Sequence, residues 1–177
     1  MAVCWPQITR NSLLLLSTKE CSSRRLLPIA RLFPIFARFN HSMDQQAEQL
    51  FIQPSTLPGA GMGLFTNIDI PRGTLIIEYM GTVTSWKEIQ DDIDNPYLCY
   101  VNRNHVINGA PHPEYLARYA NDAAGPVRVE GIRNNSFFEI DGTRVFIKAT
   151  KRIPAGSEIF VNYGKEYWET ALVNSQD

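Results

Sequence analysis

Downstream of residue 43 the apolar positions fall in short alternating runs separated by turn residues, a pattern of strands rather than long helices. Thr74 to Tyr79 reads as a strand opened by the turn Pro71-Arg72-Gly73. Phe137 to Ile140 and Arg144 to Ile147 read as a hairpin closed at Asp141-Gly142. Ile153-Pro154-Ala155-Gly156 is a further turn that leads into a strand from Glu158 to Tyr163. Two short helices are predicted between these strands. One begins at Ser85-Trp86-Lys87-Glu88, which has capping-box spacing. The other follows Pro113 and carries Tyr115, Leu116 and Tyr119. The expected fold class is mainly β with small helical inserts.

The first 42 residues differ in kind. They hold six basic residues against one acid, a balance of +5, with Pro28 and Pro34 interrupting any long helix. Two readings stand side by side: a mitochondrial or plastid transit peptide, or a disordered extension ahead of Met43. The corresponding locations are mitochondrion or plastid in the first case, nucleus or cytoplasm in the second. The division expected is a basic leader over 1–42, a folded domain over 43–170 and a tail over 171–177. The remainder after residue 42 carries eleven basic and seventeen acidic residues, or −6. That balance disfavours nucleic acid, whose binding rests on Lys and Arg neutralising phosphates, and suits a basic peptide. The longest uninterrupted Leu run, Leu13 to Leu16, is far short of a bilayer span. Cys4, Cys21 and Cys99 lie far apart, giving neither a zinc pattern nor a disulfide framework, so no metal is expected.

Four segments carry candidate chemistry: Gly59-Ala60-Gly61-Met62-Gly63, Glu78-Tyr79-Met80-Gly81, Arg118-Tyr119-Ala120-Asn121-Asp122 followed by Asn134-Asn135, and Gly156-Ser157-Glu158-Ile159 running to Tyr163-Gly164. Each alone is ordinary: a glycine turn, a strand end, a polar cap, a tyrosine closing a strand. In this order and spacing, over roughly residues 50 to 168, they resemble the SET domain of protein-lysine methyltransferases, in a compact form without cysteine-rich zinc modules on either flank. The resemblance implies the β-clip fold, short curved sheets with a C-terminal pseudoknot in which Arg118–Ala123 is crossed by Ile159–Tyr163. It implies S-adenosylmethionine as cofactor, held by Gly61, Met62, Gly63, Arg118, Asn121, Asp122 and Trp168. Tyr163 would be the catalytic tyrosine and Tyr79 would line the lysine channel beside it. Asn135 would support the knot, and Tyr167 and Trp168 would close the channel, cover the cofactor or simply pack in the core.

The substrate implied is a lysine of a histone or another protein, in a basic context. Two departures from the family pattern matter. Asp122 stands where the family usually has histidine, which leaves open what its side chain contacts. Val161 stands where an aromatic usually tunes the number of methyl groups added, so that number stays open, as does the oligomeric state. The alternative function is a catalytically silent SET-like module that binds a peptide or protein.

Overall fold

The computed structural model describes residues 48–165, 167 and 168 of the 177; the leader over 1–42, Met43 and the tail over 171–177 lie outside the described residues. Strands dominate. β1 (Leu50–Pro54) and β2 (Met62–Thr66) form an antiparallel pair around the glycine segment. β3 (Leu75–Glu78), β7 (Ser136–Asp141), β8 (Arg144–Ala149) and β9 (Val161–Asn162) make a four-stranded sheet in the order β3-β8-β7-β9. β4 (Thr82–Thr84), β5 (Leu98–Asn102) and β6 (His105–Asn108) make a third sheet in the order β4-β6-β5. No helix among the described residues is long and apolar enough to cross a membrane.

The predicted strands are present. The first three have ends shifted by a residue or two, while the last, expected over Glu158–Tyr163, is regular only at Val161–Asn162, with isolated bridges at Glu158 and Phe160 before it. The hairpin β7–β8 runs in register from Ser136 opposite Ala149 to Asp141 opposite Arg144, and Gly142 in its turn has φ +63°. The two helical inserts are shorter than predicted. At the first, only the Glu half of the capping box forms: Thr84 Oγ1, Ser85 N and Ser85 Oγ all donate to Glu88 Oε2, while Glu88 N donates to Ser85 O. The helical turn that follows is a short 3₁₀ one at Gln90–Asp92, whose N-cap is Ile89 with no side-chain cap bond, because Pro96 holds the preceding residue out of helical geometry and too few residues remain to offset nucleation. The second insert is a 3₁₀ turn at Leu116–Tyr119. It stops there because Ala120 is extended (φ −73°, ψ 111°), as the next residue requires to pair with Phe160.

That pairing is the knot. Asn121 lies parallel to Phe160, and Val161 N donates to Asn121 O at 2.9 Å. On its other flank β9 runs parallel to β7, with Ser136 opposite Val161. Asn135 closes the crossing with its side chain: Nδ2 donates to Glu158 O at 2.8 Å and Oδ1 accepts from Phe160 N at 2.9 Å. A third flank is tied to β2, where Ile159 N donates to Leu64 O at 2.7 Å. The main core fills the space between the sheets, with Leu64, Ile76, Val145, Ile147, Ile159 and Val161 fully buried.

Just before the knot sits a buried carboxylate. Glu158, 4 % exposed, accepts from Ser55 Oγ, Thr56 N, Thr56 Oγ1 and Asn121 Nδ2. It thereby fastens the start of the glycine segment to the strand that leads to Tyr163. Gly63 is glycine because of this carboxylate: a Cβ there would lie 2.2 Å from Glu158 Oε1. Gly61 has a different reason, its φ of +72°, and a Cβ on it would meet nothing within 4 Å.

Two measurements test these ties. Asn135→Ala leaves Glu158 O and Phe160 N without their buried partner, so urea unfolding is expected to show a loss on the order of 3 kcal/mol. Gly63→Ala displaces the Glu158 carboxylate and is expected to cost about 3 kcal/mol or more, whereas Gly61→Ala costs only the left-handed strain, about 1–2 kcal/mol. Equal losses at the two glycines would contradict the fastening role of Glu158.

Candidate active site

The knot brings a tyrosine to the floor of a cleft. Tyr163 follows β9, and its backbone N and ring are both held: N donates to Asp122 Oδ2 at 2.9 Å, and the hydroxyl donates to Ala120 O at 2.8 Å. The cleft above it has a volume of about 170 Å³ and is lined by Leu57 to Ala60, Asn121, Asp122, Gly125 to Val127, Tyr163 and Trp168. Asn121, in that lining, is tied to the residues behind it, since Nδ2 donates to Met62 O at 3.0 Å and to Glu158 Oε1 at 3.2 Å. Leu57, Ala123 and Phe160 form a small apolar cluster beneath the glycine segment.

Aromatic rings wall the tyrosine. Trp168 stacks on Tyr163 with centroids 5.9 Å apart and planes at 16°, and Tyr167 meets both rings edge-on. Trp168 is seated by Gly125, where a Cβ would come within 2.7 Å of the indole, and by its Nε1, which donates to Asp122 Oδ2 at 2.9 Å. Burial, and then the neighbouring Tyr167, Asp122, Tyr79 and Tyr97, push the Tyr163 phenol well above the usual value of 10.0. Burial first and Asp122 second raise Tyr167 in the same direction. Both phenols therefore stay protonated through the neutral range.

Among the described residues, Asp122 is the one charged side chain lining this cleft. Such a cleft suits a cationic or zwitterionic ligand, with aromatic faces to receive positive charge, and offers a phosphate no cation. S-adenosylmethionine, which the family resemblance implies, fits that description: a sulfonium beside aromatic rings and a carboxylate. The outer side of the loop at Gly59 and Gly61 is also bare, with nothing within 4 Å of where a Cβ would stand. Among the described residues no group of three or more His, Cys, Asp or Glu is placed to hold a metal.

Of the residues singled out from the sequence, Tyr163, Asn121, Asp122 and Trp168 share the cleft. Gly61, Met62 and Gly63 continue the same loop into β2 and meet the site through the Asn121 contact to Met62 O. Tyr79, 1 % exposed, lies in the same core cluster as Tyr163, and its hydroxyl donates to Tyr97 O at 3.0 Å. Arg118 lies apart from the cleft lining: its guanidinium sits 3.6 Å over the Tyr97 ring, and Nη1 donates to Gly109 O and Ala110 O. Those contacts brace Arg118 against Tyr97 and the Gly109–Ala110 backbone. Sequence reasoning misses Leu57, Pro58 and the Gly125 to Val127 stretch, which line the cleft without carrying a motif, and it names the motif holding Glu158 without saying what that carboxylate holds.

The comparison with known proteins agrees with this arrangement. Residues 61–164 match the SET domain family. The chain is 29 % identical over 114 residues, 60 % of its length, to the histone-lysine N-methyltransferase, H3 lysine-36 specific, of Homo sapiens. It is 32 % identical over 114 residues, 58 % of its length, to the histone-lysine N-methyltransferase ASHH3 of Arabidopsis thaliana. With the histone-lysine N-methyltransferase 2D of Homo sapiens the identity is 27 % over 154 residues, 73 % of the chain. The matches cover 4 %, 29 % and 2 % of those three proteins respectively, which are much longer. With a family match over most of the folded residues, and the knot formed by the segments that define it, the chain belongs to the SET-domain family of lysine methyltransferases.

Proposed function

We propose that residues 43–170 form a catalytic domain that transfers a methyl group from S-adenosylmethionine to the side-chain amine of a protein lysine. The observation that carries this reading is the buried Tyr163 phenol on the floor of a cleft whose other walls are the glycine loop, Asn121 and Trp168. When bound, the cofactor supplies an electrophilic methyl on a sulfonium. The residues of the chain do the rest. The backbone at Gly61, Met62 and Gly63 and the Asn121–Asp122 segment hold the donor on one side of Tyr163. Tyr79 and Tyr97 wall the approach of the acceptor amine.

The chemistry asks chiefly for alignment. Free lysine has a pKa of about 10.4, and the amine must lose its proton before it can attack. An aromatic, low-dielectric wall disfavours the ammonium form and so lowers that value. Tyr163, whose own proton is committed to Ala120 O, presents its oxygen as an acceptor toward the amine and the methyl hydrogens. Holding donor and acceptor in line is worth several kcal/mol by itself.

The net −6 of residues 43–177 and the relatives named for histone lysines favour a basic protein segment as substrate. Incubating the protein with labelled methyl donor and a proteome extract, then locating the labelled residue, tests the reading directly; label on lysine is expected. The competing reading, a silent binding module, predicts no donor binding by calorimetry.

Tyr163→Phe is expected to lower turnover by at least about a hundredfold while donor affinity stays within a few-fold, measured by calorimetry alongside the transfer assay. Wild-type turnover in that variant would reject the assignment. The rate is also expected to rise with pH between about 7 and 9 as the acceptor lysine loses its proton. Because the Tyr163 phenol is held protonated above its usual range, ultraviolet difference titration of wild type against Tyr163→Phe should show no ionisation of that ring below pH 10. Stability contributed by this neutral phenol is present below about pH 10, where the unfolded tyrosine is also neutral, and is lost as pH rises through the folded value.

A further inference from the structure

Asp122 is more than a neighbour of the cleft. Its two oxygens accept four hydrogen bonds, from Ala124 N at 2.7 Å and Asn134 Nδ2 at 2.7 Å on Oδ1, and from Tyr163 N and Trp168 Nε1, each at 2.9 Å, on Oδ2. The residue is 5 % exposed. One oxygen thus holds the backbone of the floor tyrosine and the indole stacked over its ring, two groups five residues apart in the chain. The other oxygen is fixed by the loop over 123–134, so the carboxylate cannot turn away.

No other common side chain of this size can do the same. A carboxylate is acceptor-only and offers about four lone-pair sites, all filled here. Asparagine would point its NH₂ at one of the two pairs of donors, breaking that pair whichever way the amide faced. A neutral imidazole has one acceptor nitrogen, so the histidine usual at this position in the family cannot receive the Tyr163 amide and the Trp168 indole together.

Resting on the methyltransferase reading above, we propose that Asp122 is the positioning residue of this site: its carboxylate locks Trp168 over Tyr163, so that docking of the indole and placement of the catalytic ring are one event. The aspartate and the tryptophan form a matched set, the acid in place of histidine serving an indole donor carried by the same chain. Gly125 completes the set by leaving the space that the indole occupies.

The full-length chain, labelled with ¹⁵N, gives a readout that needs no turnover: exchange of the Trp168 indole N–H with solvent, assigned by its loss in Trp168→Phe. Exchange in Asp122→Asn is expected to be at least tenfold faster than in wild type. Equal exchange in the two proteins would overturn the proposal. In transfer assays normalised to folded protein, Asp122→Asn is expected to lower kcat by at least tenfold and to raise the donor KM. Asp122→His is expected not to restore either. The donor-KM penalties of Asp122→Asn and Trp168→Phe should combine less than multiplicatively, because each breaks the same contact. Wild-type kinetics in Asp122→His, or fully multiplicative penalties, would also overturn it.

Should Asp122→Asn fail to fold, Asn134→Ala removes one of the four donors without touching either ring. Indole exchange and kcat are then expected to change severalfold; unchanged values count against the lock. If the wild-type protein moves no methyl group, the methyltransferase reading fails, and the exchange comparison by itself upholds or overturns the coupling.

Discussion

One strand with three neighbours holds this molecule together. Residues 158–163 donate to and accept from β2, the Asn121 segment and the Asn135–Ser136 segment, with Phe160 O alone receiving Asn135 N, Ser136 N and Ser136 Oγ. A strand in an ordinary sheet satisfies its backbone on two sides with partners that are themselves strands. Here part of that work falls to an asparagine side chain and to a segment that has no other strand character. The cost of leaving any of these buried groups unpaired is what keeps the crossing intact, and Tyr163 is placed by that crossing.

Two buried carboxylates extend the same logic outward. Glu158 fastens the entry of the glycine loop through Ser55 and Thr56. Asp122 fastens the exit of the last strand and the aromatic pair beyond it. Both act as acceptor hubs for backbone and side-chain donors rather than as halves of ion pairs. Between them lies Asn121, touching Met62 O and the Glu158 carboxylate. The cleft is therefore bounded by groups whose hydrogen bonds are already committed to one another, the condition for a site whose contribution is alignment.

Much of this is legible in the sequence, and the gaps have physical reasons. The hairpin β7–β8 and the last strand announce themselves because alternation, a turn and a strand-closing tyrosine coincide there. The sheet of β4, β5 and β6 does not. Val83 on its outer strand is 55 % exposed, and Leu98, Cys99 and Tyr100 are buried in succession rather than alternately, so neither strand shows a clean period of two. The helical inserts fall short of expectation because a capping box states how a helix would begin, not whether enough chain lies beyond it. Gly63 reads from the sequence as part of a glycine turn, and the group that requires a glycine there, Glu158, lies 95 residues onward in the chain. Arg118, grouped by motif with Asn121, faces the other way, because successive residues leaving a 3₁₀ turn into extended chain point in different directions.

The tie between Ser55 and Glu158 spans 103 positions, and that separation governs how the protein comes into being. Contacts between distant positions are slow to form, since the chain must close a long loop before any gain is realised. During synthesis the glycine loop emerges roughly a hundred residues ahead of the carboxylate that secures it. Until then Leu64 and Phe65, 0 % and 2 % exposed at the end, have β1 as a partner but lack the later strands that complete their burial. The nascent chain thus passes through a stage with an unfinished apolar strand and no cleft, a stage at which exposed apolar surface favours aggregation.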